Sequence, residues 1–211
     1  MEPTLLLPIG FGAILVNLPF SGVVTQVIDG VTEVGILDVL FNAGIANEMF
    51  PLLLFIGIGA MIDFTPLLTN PKMLFFGAAA QFGIFFTLSL AALLGFDIKD
   101  AASIAIIGAA DGPTSIFVAN YFNSKYIGAI IVAAYSYMAL VPIIQPFVIR
   151  RITSREERLI RMDNNVKSTV PRVVKILFPI FITIIAGIMA PRSVALVGFL
   201  MFGNLIRECG V

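Results

Sequence analysis

The sequence predicts an all-α integral membrane protein that crosses the bilayer several times, through helices of which some are discontinuous. Three observations predict it. The chain is 59% hydrophobic and only 12% charged, and its mean hydropathy is +1.02. Soluble domains average about 45–50% apolar and about 25% charged, so this chain has too little charge to cover a water-facing surface. Some apolar runs reach the roughly 20 residues that a span needs. Others are broken by Gly, Pro and Asp, and interrupted apolar segments are the pattern of transporter binding sites.

Two runs are long enough without difficulty. Met73–Phe96 follows Lys72 and precedes Asp97, Lys99 and Asp100. Tyr126–Val148 follows Lys125 and precedes Arg150 and Arg151, with Pro142 and Pro146 expected to kink its last third. Ile176–Ala190 is shorter and reaches span length when Val173 and Val174 join it. Three runs are interrupted: Leu5–Val24 by Pro8, Gly10, Gly12, Asn17 and Pro19; Phe50–Leu68 by Gly57, Gly59, Asp63 and Pro66; and Ala101–Phe122 by Gly108, Asp111, Gly112 and Pro113. In lipid every backbone polar group must be paired internally, so such breaks need cover from protein or a wet cavity. Thr32–Glu48 has sparse charges among apolar residues and is expected to form an amphipathic helix at an interface.

Charge sets the orientation and the coarse division. Residues 150–175 hold eight of the thirteen Lys and Arg, and the positive-inside rule places them in the cytoplasm. The same basic loop can also serve as a docking surface for a cytosolic partner. Counting back from it, Tyr126–Val148 runs outside to inside. Ala101–Phe122 crosses or re-enters, and Met73–Phe96 is expected to run outside to inside. The chain thus divides into a transmembrane ion-path region (1–149), a basic loop (150–175) and a further transmembrane segment (176–211). Glu2 and the interrupting Pro and Gly do not make a signal peptide, and the apolar ending GFLMFGNLIRECGV is expected to be a cut rather than a terminus.

Composition excludes several functions. Net charge is zero, which argues against a nucleic-acid partner, since phosphate binding needs cationic excess. There is no His or Trp, and Cys209 is the single cysteine. Disulfide frameworks, Cys/His zinc clusters and His-based catalysis are therefore excluded within this chain.

Asp111 is the outlier, in SIAIIGAADGPTSIFVA. A carboxylate at a helix centre costs roughly 2.5–3.5 kcal/mol on insertion scales. Gly108, Gly112 and Pro113 are expected to unwind the helix and free its carbonyls. With the hydroxyls of Thr114 and Ser115, Asp111 then makes an all-oxygen environment suited to a hard cation such as sodium. The same carboxyl can shuttle protons, or act as a helix cap before Pro113. Asp63 is a weaker candidate and reads equally as a cap or interface carboxylate. Asn17 reads as a turn residue or as site lining. Tyr135 and Tyr137, two apart, face different directions, and a phenol at membrane depth needs a partner. Gln81 and Gln145 are expected to bond between helices.

GAADGPTSIF, FIGIGAMIDFTPLLTNPK, FFGAAAQFGIF, IIVAAYSYMALVPIIQP, FGNLIRECGV and LLLPIGFGAILVNLP resemble segments of the β subunits of sodium-translocating, biotin-dependent decarboxylases (of oxaloacetate, glutaconyl-CoA, methylmalonyl-CoA or malonate). The resemblance covers nearly the whole chain. It implies a bacterial or archaeal cell-membrane subunit that decarboxylates carboxybiotin and exports sodium. Its biotin is carried by a partner, the carboxyltransferase α subunit, beside a small γ-type membrane subunit in a multi-subunit complex that includes copies of this chain. It implies that Asp111 is the coupling carboxylate and that Tyr137, by spacing, belongs to the same path. It further implies an inverted-repeat architecture of which this chain is the first half, lacking an initial helix and everything after Val211 and inactive alone. Without the motifs, broken helices around a buried Asp fit a sodium-coupled solute transporter equally well.

Overall fold

The computed structural model describes residues 2–19, 21–160 and 170–210. Arg161 and Lys167 of the basic loop lie outside the described residues. The chain separates into two compact units, Met1–Met49 with Ile84–Arg161 and Phe50–Gly83 with Met162–Val211.

In the first unit, α1 (Glu2–Asn17) continues through Pro8, so the interruption expected within Leu5–Val24 falls after Asn17. It packs against the long helix described below. A short antiparallel hairpin follows, β1 (Gln26–Ile28) and β2 (Val31–Glu33), with Ile28 opposite Val31. Asp29 and Gly30 make its turn, with φ of 52° and 81°. Asp-Gly is the pair that tolerates two positive φ angles in a two-residue hairpin turn. Then α2 (Ile36–Leu40) runs into a π-helical turn, Phe41–Ile45. The single amphipathic helix expected over Thr32–Glu48 is therefore corrected: its start is a strand, because the Asp-Gly turn prevails, and Glu48 ends it at a φ of 65°. Next comes α3 (Met49–Met61), which from Phe50 onward belongs to the second unit. Together, Ile36–Ile45 and Met49–Met61 are long and apolar enough for one broken span.

After α4 (Thr65–Thr69), α5 (Leu74–Leu93) follows a 3-10 turn at Pro71–Met73. Pro71–Leu93 is one of three helices that meet span length and composition. Phe75, Phe76 and Phe82 on it are more than 70% exposed, a surface suited to hydrocarbon and not to water.

The next segment folds back on itself. It comprises α6 (Ile98–Ala105), a 3-10 turn (Ile106–Ala109) and α7 (Gly112–Tyr121). Ser124, just past α7, donates its hydroxyl to buried Asp100 in the first turn of α6 at 2.7 Å. A helix rises 1.5 Å per residue, so a straight segment of this length would hold those residues about 35 Å apart. Ala101–Phe122 is therefore a re-entrant hairpin with residues 110–111 at its tip. Small residues allow the close approach: Ala101, Ser103, Ala105, Ser115 and Ala119 are all essentially buried. The hydroxyls of Ser103 and Ser115 bond back to the carbonyls of Lys99 and Asp111.

α8 (Ile127–Ile152) then runs unbroken through Pro142 and Pro146, four residues beyond the expected Val148. Arg150 and Arg151 occupy its last turn, where cations complement the helix dipole. Ala134 and Ala139 sit buried on it, and α7 packs against it. Phe96, before α6, meets Tyr126 edge-on at 5.5 Å. α5 therefore ends at the face where α8 begins, which reverses the direction expected for Met73–Phe96. α9 (Arg155–Leu159) closes this unit with a Ser154–Glu157 capping box.

In the second unit, α10 (Arg172–Met189) and α11 (Val194–Cys209) form an antiparallel pair. Arg172 at its open end donates to the Cys209 carbonyl at 2.8 Å. α11 crosses α3 at Gly59 and Gly203: a Cβ on either would stand 2.8 Å from a carbonyl carbon of the other helix, Leu200 or Ile56. Beside the crossing, buried Asn204 donates to the carbonyls of Gly59 at 3.4 Å and Ile62 at 2.8 Å.

Candidate functional site

The candidate site lies at the hairpin tip. Ala110 sits in the left-handed region, with φ 54° and ψ 39°, a cost that a non-glycine residue meets only where its surroundings demand it. Asp111 then takes an extended conformation and caps α7. Its Oδ1 accepts from the Thr114 amide at 3.3 Å. Its Oδ2 accepts from the Thr114 hydroxyl at 2.6 Å. Ser115, fully buried, donates to the Asp111 carbonyl at 2.8 Å. Pro113 falls where a helix start loses nothing from a missing N–H.

The break changes who bonds to whom. In a continuous helix the Gly112 amide would reach the Gly108 carbonyl. Here it donates to the Met138 sulfur of α8 at 3.2 Å. Gly108 is thereby released from its usual donor, beside a carboxylate that is half-buried. The arms of the hairpin rise only about 15–20 Å, short of the ~30 Å hydrocarbon core. A hairpin of that length whose open end sits at the membrane surface has its tip within the hydrocarbon depth. Carboxylate, hydroxyl and carbonyl oxygens at that depth are the donor chemistry of a hard cation.

Asp111, Gly108, Thr114 and Ser115 thus lie together in one turn. Tyr137 lies on another face of α8. It is 40% exposed and lines an open groove of about 270 Å³ with Val141, Ile144 and Gln145. Asn17 bonds back to the Ala13 carbonyl at 2.8 Å, at the exposed end of α1. Asp63 belongs to the second unit. It accepts from the Thr65 amide at 2.9 Å and stands 3.9 Å from Arg207. Beside the tip stand Tyr135, which sequence reading named but set behind Tyr137, and Met138, which it passed over. Their signal was the i, i+3 spacing that puts both on one helix face, next to the buried Ala134 and Ala139.

Fold and tip together define an all-helical, multi-pass membrane protein with a discontinuous helical hairpin. The chain belongs to the family of Na+-transporting oxaloacetate decarboxylase beta subunits, whose family model matches residues 1–211. It is 49% identical to the glutaconyl-CoA decarboxylase subunit beta of Acidaminococcus fermentans, over 99% of this chain and 53% of that one. It is 50% identical to the methylmalonyl-CoA decarboxylase subunit beta of Veillonella parvula, over 100% of this chain and 53% of that one. A probable oxaloacetate decarboxylase beta chain of Vibrio cholerae is 40% identical, over 100% of this chain and 61% of that one. The chain spans about half the length of the first two relatives.

Proposed function

We propose that this chain belongs to the membrane subunit of a sodium-pumping decarboxylase in a bacterial or archaeal cell membrane. There it contributes the Asp111 hairpin to the sodium path. The observation that carries this reading is the single carboxylate at the tip of a re-entrant hairpin, beside released backbone and two hydroxyls. Family membership supports the decarboxylase role.

The tip's own groups supply the coupling. Ionised Asp111 offers anionic oxygens to sodium, the transported cargo. Thr114 orients the carboxylate, its hydroxyl donating to Oδ2 and its amide to Oδ1. Gly108 and Ser115 complete the oxygen shell. Carboxybiotin, carried by a carboxyltransferase partner, is decarboxylated at the cytoplasmic face, and that step consumes a proton. Protonating Asp111 removes the anion that holds sodium, so one group serves both tasks through its charge state. Tyr137, on the groove side of α8, serves the proton's route. The partners are the biotin-carrying α subunit, a small γ-type membrane subunit and further copies of this subunit.

The test uses the complete parent protein with its biotin-carrying partner in sealed vesicles. Carboxybiotin decarboxylation and sodium uptake are followed in wild type and in Asp111→Asn. Sodium is expected to stimulate the wild type, and the variant is expected to lose both turnover and uptake. Sodium movement driven by a solute gradient without biotin would instead favour a sodium-coupled solute transporter.

A further inference from the structure

Gly112 is held from two sides by α8. Its amide donates to Met138 Sδ, and the ring of Tyr135 lies across its Cα. A Cβ built on Gly112 would stand 2.7 Å from Tyr135 Cζ and 2.8 Å from Cε1. Gly112 opens α7 without a positive φ, so its backbone does not require glycine. The tyrosine ring does.

We infer that Tyr135 is a positioning residue for the ion site: its ring seats the Gly112 turn and so sets where the Asp111 carboxylate stands. The inference rests on the reading that Asp111 holds the transported cation. Tyr135 and Met138 lie three residues apart on one face of α8, so they act together. Met138 takes the amide and Tyr135 takes the Cα. A side chain at 112 would push the tip away from α8, carrying Asp111 with it. A trimmed ring at 135 would let the tip settle toward α8.

The experiment measures the sodium concentration for half-maximal uptake in vesicles that hold the complete complex, with the yield of monodisperse complex recorded for each variant. Gly112→Ala is expected to raise that concentration roughly ten- to a hundredfold, the scale of an ångström-sized misplacement. Tyr135→Ala in the same chain removes the clash, so the double variant is expected to return to the value of Tyr135→Ala alone. Tyr135→Phe keeps the ring and is expected to keep the wild-type value. A double variant as impaired as Gly112→Ala overturns the inference. So does a Tyr135→Phe variant as impaired as Tyr135→Ala, since the hydroxyl and not the ring would then matter. If Gly112→Ala yields no complex, the Phe and Ala variants at 135 decide by themselves. Asp111→Asn separates the two levels. Sodium dependence retained in that variant overturns the parent reading and the inference with it. Sodium dependence lost, with no rescue in the double variant, overturns the inference alone.

Discussion

Asp111 and Asp100 are eleven residues apart and take different parts in one hairpin. Asp100 is buried at its open end and is held by the Ser124 hydroxyl, which in turn accepts from the Tyr126 amide at 3.2 Å. It ties the hairpin shut. Asp111 stands at the tip, and among the described residues its side-chain bonds come from Thr114 of its own turn. In the second unit Asn204 takes a similar structural part. Its amide donates to two carbonyls at the end of α3, where a helix leaves carbonyls without donors. Asn204→Ala takes the amide donor from the Ile62 carbonyl in a partly buried place, a loss of about 1–3 kcal/mol. The thermal unfolding midpoint of the complete protein in detergent is expected to fall by several degrees. An unchanged midpoint would show that water replaces the amide.

At the scale of elements, breaks in helices sit where other groups complete them. The π-helical turn at Phe41–Ile45 does not end unpaired: Asn120 of α7 donates to the Ile45 carbonyl at 2.7 Å. The hairpin is thereby joined to the segment before α3. The α3–α11 crossing depends on bare glycine backbone on both sides. Gly203→Ala is expected to force the helices apart, costing about 1–3 kcal/mol, as overpacking does, and to lower the yield of folded protein. Gly10→Ala, with open space around it, is the control and is expected to change nothing. α9 gives a pH prediction. Ser154 and Glu157 cap each other, amide to carboxylate at 2.7 Å and amide to hydroxyl at 3.2 Å. The backbone bond first, then the Ser154 hydroxyl, hold the Glu157 carboxyl below the ordinary glutamate value. A depressed carboxyl pKa contributes stability present above the unfolded value and lost as pH falls through the folded one. Amide protection factors in α9 are expected to hold from neutral pH to about pH 4.3 and to fade below it. Protection that persists into stronger acid would show that the box does not hold α9.

For the molecule as a whole, the re-entrant hairpin decides the count of crossings. Because residues 98–121 turn back, Lys99 and Lys125 belong to one face of the membrane, and Arg151, at the far end of α8, belongs to the other. Single cysteines at these three positions, in a Cys209→Ser background, can be labelled with an impermeant reagent in oriented vesicles. Positions 99 and 125 are expected to label from the same side and position 151 from the opposite side. If 99 and 125 label from opposite sides, the segment crosses. The large exposed phenylalanines of α5 make the same argument in another form: they need lipid or protein around them and are unstable against water.

Much was legible in the residues themselves. Apolar run length alone located α5, α8 and α10, because a bilayer demands a fixed length of apolar helix. The Gly, Asp and Pro cluster marked the break at 108–113, because these residues favour caps and turns over helix interiors. The Asp29-Gly30 turn went unread, and the sparse charges that follow it suggested a helix over Thr32–Glu48. What only the tertiary structure decided is which way a broken segment goes. Ala101–Phe122 fits crossing and returning equally well by composition. The choice depends on contacts between residues distant in the chain, Asp100 with Ser124 and Phe96 with Tyr126. The same holds for Tyr135. Its type and spacing identified a phenol at membrane depth, and only the approach of α7 to α8 showed that its ring is what Gly112 makes room for. Local chemistry is written in neighbouring residues, whereas side-chain seating is decided by whichever helices come within reach.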